Sequence, residues 1–220
     1  MLALADPGDA WGPLLRTIIS ETSLGRALQL QFIWAVAALM AFSVARLGPQ
    51  RGWSASAITT LVLTLVPALA GHAAAADQVI PAQVAVVMHV LGAGAWIGTL
   101  FHLWRIARKA SDATLTRVLT AFHTIALGGA AMLALSGAYH VWTLVESPSQ
   151  VVTTLWGRLL LTKLALLGGV TWLGYRHWKG AELRHAGGDR TGLRQSMQRE
   201  LLLALAVLVV TGVLTSTGTD

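Results

Sequence analysis

Long apolar runs separated by short polar breaks dominate the chain. Each of the six runs is about as long as the roughly 20 residues with which an α-helix crosses a ~30 Å hydrocarbon core. They cover residues 24–45, 55–75, 80–106, 115–142, 155–178 and 197–217. Glycine, proline, serine and aspartate fill the breaks, none of which is long enough for a soluble domain. The pattern predicts an all-α, polytopic membrane protein built as a bundle of six transmembrane helices.

Two features modify this pattern. Pro67 lies inside the second run, where it predicts a kink because proline lacks an N–H and its ring clashes with the preceding turn. Residues 1–23 contain Asp6, Asp9 and Glu21 and lack the basic start of a signal peptide. We therefore interpret residues 1–23 as an outer-side segment and residues 24–217 as a six-helix membrane domain.

Basic residues predict the orientation of the bundle. Twelve of the sixteen lysines and arginines flank or fill the breaks after the first, third and fifth runs. They are Arg46, Arg51, Arg105, Arg108, Lys109, Arg117, Arg176, Lys179, Arg184, Arg190, Arg194 and Arg199. The alternate breaks contain Asp77 and Glu146 but no basic residue. Because basic loops stay in the cytoplasm, both termini are expected on the outer, periplasmic side of the inner membrane.

Composition narrows the function classes. With 55% hydrophobic and 12% charged residues and a mean hydropathy of +0.62, the chain is too apolar for a soluble domain. The cytoplasmic loops account for the formal charge of +6, so no nucleic-acid partner is predicted. Zero cysteines exclude disulfides and thiolate ligands. We find no nucleophile with a base, no phosphate-binding glycine loop and no intramembrane carboxylate pair, and therefore predict that the protein is not an enzyme.

Three histidines and one methionine lie in the outer half of the predicted bundle. His72 and His140 are near the outer ends of their runs, and His89 lies about 14 Å below the outer boundary at helical rise. Met132 reaches a similar depth on the next run. Each could simply pack or hydrogen-bond across a helix interface. Together, imidazoles and a thioether predict a copper site, with zinc as the nearest competitor.

Neighbouring residues could shape this site. His89, Gly92 and Trp96 share one helix face, so glycine would let another helix approach and the indole would close an outward-facing pocket. Met88 points about 100° away from His89, so it could ligate the same ion only in a wide pocket.

Two basic residues of the fifth run are further candidates. Arg158 is shallow enough to extend to the interface. Lys163 is deeper, and facing lipid would cost it about 2.5 to 3.5 kcal/mol. We therefore expect its ammonium group in the bundle interior, hydrogen-bonded to carbonyls or to hydroxyls such as those of Ser136 and Thr154.

Four segments in order resemble the copper resistance protein D (CopD) family. They are MHVLGAGAWIGTL (88–100), RVLTAFHTIALGGAAMLALSG (117–137), TTLWGRLLLTKLAL (153–166), with Trp156 where tyrosine is usual, and RQSMQRELLLALAVLVVTGVLT (194–215). The resemblance covers about residues 70–217. It implies a bacterial inner-membrane protein that moves Cu(I) or Cu(II) inward or supports copper resistance. It also implies partnership with a periplasmic copper-binding protein.

Two other functions stay open at this point. In a b-type haem protein, histidines would be axial ligands, and Arg26, Arg158 and Lys163 would pair with propionates. The spacings of 13 and 17 residues between helix-sharing histidines disfavour two haems on one helix, but one haem is possible. The other alternative is a membrane scaffold in which the histidines only pack.

One short pattern occurs twice. The sequence T-x-x-G-R-x-L stands at residues 22–28 and 154–160, in each case where a run begins on the outer side. It indicates either a parallel repeat of two hairpins, as some transporters contain, or a chance similarity between two helix starts.

Overall fold

The described part of the chain is helical. The structure, a computed structural model, describes residues 12, 16–17, 19–69, 72–107, 109–186 and 190–217, so most of the predicted outer segment lies outside it. No strand occurs in the described ranges. The helices are α1 (Ser23–Ala45), α2 (Pro49–Leu65), a 3₁₀ turn (Val66–Leu69), α3 (His72–Ala75), α4 (Val79–Ile106), α5 (Asp112–Leu144), α6 (Gln150–Thr153), α7 (Leu155–Ala186) and α8 (Arg190–Ser216). The all-α prediction is confirmed.

Within the described ranges, five helices are long and apolar enough to cross a membrane. These segments are Gly25–Ala45, Gly52–Leu69, Val79–Ile106, Ala113–Leu144 and Thr191–Thr215. The remaining predicted run forms α7, which has 32 residues but is not one of the five. Arg158 and Lys163 lie in its apolar stretch and lower its mean hydropathy.

Many large apolar side chains are exposed, and several of the buried residues are alanines. Phe32, Leu127 and Trp142 are 72%, 75% and 85% exposed, whereas Ala27 and Ala38 are buried. Helices in lipid pack through small residues, since the hydrocarbon outside is as apolar as leucine. The distribution of exposed side chains is therefore that of a membrane protein.

The chain forms two compact units, residues 1–90 and 91–220. In the first unit, α1 packs against α2 and against the 3₁₀ turn. Gly52, at the start of α2, lies against the backbone of Ala45, and a Cβ atom there would be 2.7 Å from the Ala45 nitrogen. The buried Ser56 hydroxyl donates to the Gly52 carbonyl at 2.8 Å. Small residues thus bring the two helices together next to their connection.

Proline interrupts the second predicted run. The run was expected to continue to residue 75, but α2 ends at Leu65 and the chain continues as the 3₁₀ turn that contains Pro67. A separate short helix, α3, then begins at His72. Because proline cannot donate the i to i−4 hydrogen bond, the α-helical ladder stops here. At Pro67 the structure therefore shows a change from α-helix to 3₁₀ helix.

Two apolar clusters mark the ends of the second unit. One cluster joins the end of α4 to the starts of α5 and α8 through Leu103, Leu115 and Met197. The other joins the end of α5 to the start of α7 and the end of α8 through Trp156 and Leu214. Thus α4 and α8 run in opposite directions, and so do α4 and α5.

The repeated T-x-x-G-R pattern is the same helix cap at both positions. The Thr22 hydroxyl accepts from the Gly25 N–H at 2.9 Å, and the Thr154 hydroxyl accepts from the Gly157 N–H at 3.0 Å. The two threonines have nearly identical backbone angles, φ −92° and ψ 156° against φ −87° and ψ 157°. Each hydroxyl satisfies an N–H that the first helical turn leaves without a partner. The pattern is therefore at least a shared capping motif.

Near each cap, a side-chain hydrogen bond also links the long helix to the helical segment before it. The Gln29 amide donates to the Ile19 carbonyl at 3.0 Å, and the Arg158 Nε donates to the Val152 carbonyl at 3.3 Å. Both ties connect the first turns of a long helix to the chain that precedes its cap. They fix the angle at which the chain enters the helix.

We expect Gly157→Ala to destabilise the protein. A Cβ atom at Gly157 would overlap the carbonyl oxygens of Gln150 and Val151, so the α6–α7 connection would have to shift at a cost of about 1 to 3 kcal/mol. The matched control is Gly168→Ala on the same helix, where nothing lies within 4 Å. It should be neutral or stabilising. Denaturation of the purified variants in detergent measures both, and equal stabilities would contradict the proposed steric cause.

Candidate functional site

Helices α4 and α5 cross with their backbones in contact. A Cβ atom added at Gly92 would lie 2.7 Å from the Gly129 carbonyl oxygen, and one added at Gly129 would lie 2.8 Å from the Gly92 carbonyl oxygen. Such distances leave no room for a side chain on either helix. The prediction that Gly92 admits a neighbouring helix is confirmed, and Gly129 is its partner.

Two candidate site residues, Met132 and Trp96, lie at this crossing. The Met132 Cβ is 3.1 Å from the position that a Cβ would take at Gly92. The backbone nitrogen of Trp96 is 3.4 Å from the position that a Cβ would take at Gly129. Both side chains are half-buried. The buried Ser136 hydroxyl donates to the Met132 carbonyl at 2.6 Å, which ties the next turn of α5 to Met132. The Met132 side chain therefore begins at the close crossing of α4 and α5.

His140 and Lys163 form a second local set, on α5 and α7. Both side chains are half-buried, and the Lys163 ammonium acts electrostatically on the His140 imidazole. The imidazole also meets the Tyr139 ring edge-on, with centroids 6.0 Å apart. The two groups therefore lie near each other on α5 and α7. This arrangement places a cation beside one of the predicted ligands.

The hydroxyls expected near Lys163 are used in backbone hydrogen bonds. Ser136 donates to the Met132 carbonyl, and Thr154 donates to the Gln150 carbonyl at 2.8 Å. Serine and threonine in membrane helices commonly bond to the preceding turn in this way.

The other predicted ligands lie in the first unit. His89 and Met88 are half-buried on α4, and the His89 side chain has an interaction partner. The backbone of His72 begins α3, but its side chain lies outside the described part of the chain. In the described part, no three histidine, cysteine or carboxylate side chains form a group that could hold a metal ion. Of the ligand candidates, His72 and His89 belong to the first unit, and Met132 and His140 belong to the second.

Arg158 has a local role in the structure. Its side chain is exposed, and its Nε donates to the Val152 carbonyl. The guanidinium group thus helps to hold the α6–α7 connection. Any effect of Arg158 on the predicted site is therefore indirect, through the placement of α7.

The end of the second unit at which α4 ends and α8 begins contains contacts that the sequence did not reveal. The Arg194 guanidinium lies over the Trp104 ring, 4.9 Å from the ring centroid. In the described part of the chain, the buried Trp104 Nε1 and Arg194 Nε atoms have no hydrogen-bond partner. Glu200, six residues after Arg194 on α8, is only 3% exposed. The Arg194 charge signalled a cytoplasmic loop, but no local pattern linked it to a tryptophan 90 residues earlier.

We expect Gly92→Ala to loosen the crossing that holds Met132. The added methyl group would overlap the Gly129 carbonyl, and the resulting helix shift should cost about 1 to 3 kcal/mol. Gly94→Ala is the control, because nothing lies within 4 Å of its Cβ position on the same helix. Thermal unfolding in detergent compares the two variants. If Gly94→Ala were the more damaging substitution, the crossing would not depend on Gly92.

Comparisons with known proteins bear on this site. A family model described as copper resistance protein D matches residues 116–214, the range that contains Met132, His140 and Lys163. The chain is also similar to copper transport protein CutJ of Bacillus subtilis (strain 168), with 25% identity over 225 residues. That alignment covers 96% of this chain and 41% of the relative, so the chain spans about two fifths of the relative's length. No solved structure gives a significant match.

These matches and the five apolar helices fit a multi-pass membrane protein related to copper. The segment at residues 88–100 lies outside the family-model match, so its resemblance to the family remains a prediction. The resemblance of the chain to the copper resistance protein D family is confirmed over residues 116–214.

Proposed function

We propose that this chain binds copper within the bacterial inner membrane and carries it from the periplasm toward the cytoplasm, with copper resistance as the wider role. The match of residues 116–214 to the copper resistance protein D model carries the proposal. The printed name of the CutJ relative, a copper transport protein, supports the same cargo. The proposal assigns no enzymatic reaction to the chain. A periplasmic copper-binding protein is the expected donor of the ion.

The proposed architecture has six membrane crossings, with both termini on the periplasmic side. The two apolar clusters support α7 as a crossing. It begins beside the end of α5 in one cluster, while the next helix begins beside the start of α5 in the other. A helix of 32 residues is about 48 Å long at 1.5 Å per residue, which is enough to return across the bilayer.

The proposed ligands are the imidazoles of His72, His89 and His140 and the thioether of Met132. Imidazole binds both copper oxidation states, and thioether favours Cu(I). His140 and Met132 are eight residues apart on α5, about 12 Å along the helix axis. They would therefore act at two levels, with His140 nearer the periplasm and Met132 deeper, at the crossing of α4 and α5. His72 and His89, in the first unit, are the other two proposed ligands.

The position of Lys163 favours transport of copper over its storage. Its ammonium group acts on His140, and in a low-dielectric interior like charges repel much more strongly than in water. A copper ion held by His140 would feel this repulsion and leave more readily. Conduction requires binding that is strong enough for entry and weak enough for release. A lysine beside a ligand suits a transfer step better than storage.

The inward step requires a rearrangement. Below the outer-half ligands, the next imidazole on α4 is His102, 13 residues after His89 and about 20 Å away along the helix. This distance is too long for direct exchange between two ligands. We propose that helices shift during transfer, so that copper crosses the inner half with its ligands replaced in steps.

The histidines should determine copper stoichiometry. We expect His72→Ala, His89→Ala and His140→Ala each to lower the copper content of the purified protein, measured by elemental analysis with a visible spectrum. His102→Ala is the matched control, because His102 is exposed and outside the ligand set. Copper affinity should also fall below about pH 6, because imidazole must be neutral to act as a ligand.

Full copper content in all three single variants would overturn the ligand assignment. A Soret band in the spectrum of the parent protein would instead support the haem alternative.

Import predicts a difference in cells. Cells that express the chain should accumulate more copper than cells that express His89→Ala at equal protein level, as measured by elemental analysis of washed cells. The His102→Ala variant tests the inner half, and slower accumulation with normal copper content in the purified protein would place it on the path. Equal accumulation by the parent and His89→Ala would rule out import through His89 and leave a binding role.

A further inference from the structure

A groove with one charged residue opens on the first unit. Its lining consists of Arg26, Ala27 and Leu30 of α1 and of Val66 and Leu69 of the 3₁₀ turn, and it encloses about 230 Å³. This volume is several times the roughly 30 Å³ share of a water molecule. Four of its five lining residues are apolar, so the space suits a hydrocarbon chain.

The groove follows from two local features. Ala27 is small and buried, so α1 lacks a bulky side chain opposite Val66, which is 3% exposed. After Leu65 the chain continues as the 3₁₀ turn that contains Pro67, and Val66 and Leu69 of this turn line the groove. Leu30 and Leu69 form the outer walls and are 42% and 63% exposed.

Arg26 lies at the level of a membrane boundary. The first apolar segment begins at Gly25, and the second ends at Leu69. Arg26 and Leu69 of the groove therefore lie at the ends of two candidate membrane spans. In the described part of the chain, the Arg26 guanidinium makes no hydrogen bond or ion pair. Arginine binds phosphate through two parallel hydrogen bonds. The groove therefore combines a phosphate-binding group at headgroup level with an apolar channel below it.

We propose that this groove is a binding site for one anionic phospholipid. The lipid phosphate would pair with Arg26, and the first part of one acyl chain would lie between Leu30 and Leu69. A zwitterionic lipid would fit the channel but would bring no net negative charge to Arg26. The site is separate from the copper function, and its test does not involve copper.

Arg158 provides a matched control. It occupies the same position as Arg26 in the repeated T-x-x-G-R cap, but its Nε donates to the Val152 carbonyl. The two arginines thus share sequence context and differ in the availability of the guanidinium group.

The experiment is native mass spectrometry of the full chain in detergent with equal amounts of phosphatidylglycerol and phosphatidylcholine. We expect one retained phosphatidylglycerol, bound roughly fivefold more weakly by Arg26→Gln and unchanged in Arg158→Gln, since one arginine at a membrane surface contributes about that factor. Arg26→Lys should keep part of the preference. Leu30→Trp, which fills the channel, should reduce retention of both lipids and tests the site without removing the charge.

Three outcomes would overturn the proposal. One is equal retention of phosphatidylglycerol by the parent and Arg26→Gln. The second is no preference of the parent for phosphatidylglycerol over phosphatidylcholine. The third is complete displacement of the lipid by excess inorganic phosphate, which would show a site for free phosphate without a role for the apolar channel.

Discussion

The hydrocarbon around the helices offers no hydrogen-bond partner, and most of this structure follows from that constraint. Every backbone polar group within the membrane must be satisfied inside the protein, and an α-helix achieves this within a single segment. Polar side chains obey the same rule. Ser43, Thr162 and Thr211 each donate to the carbonyl four residues earlier, at 2.7 to 2.8 Å. Hydroxyls therefore occur along apolar helices without requiring a partner helix.

The same constraint explains what the sequence could predict of the fold. The helices themselves follow from run length and composition, and the break at Pro67 follows from the missing N–H. The inner face of each helix is much harder to predict. When a helix is apolar on all sides, periodicity does not distinguish the face toward lipid from the face toward protein. Gly92 and Gly94 look alike in sequence, yet only Gly92 lies against another backbone.

The candidate site was predictable in depth but not in rotation about the helix axes. Helical rise gives the level of His140 and Met132 from their positions alone. It does not reveal that Lys163 lies near His140, because that depends on how α7 and α5 are turned about their axes. The proximity of Met132 to Gly92 was easier to anticipate, since a glycine on α4 and a glycine pair on α5 mark a close crossing. A charged or small residue therefore predicts a helix contact only when its partner on the other helix can also be identified.

The repeated cap separates what local sequence decides from what the environment decides. Threonine and glycine three residues apart produce the same backbone angles and the same hydrogen bond in both copies, because a cap involves only its own turn. The arginine that follows glycine extends beyond that turn. Arg158 finds a carbonyl of α6 within reach, whereas Arg26 lines a groove whose other wall comes from a proline-broken helix. Identical motifs therefore stabilise two helix starts while leaving their arginines free to take different roles.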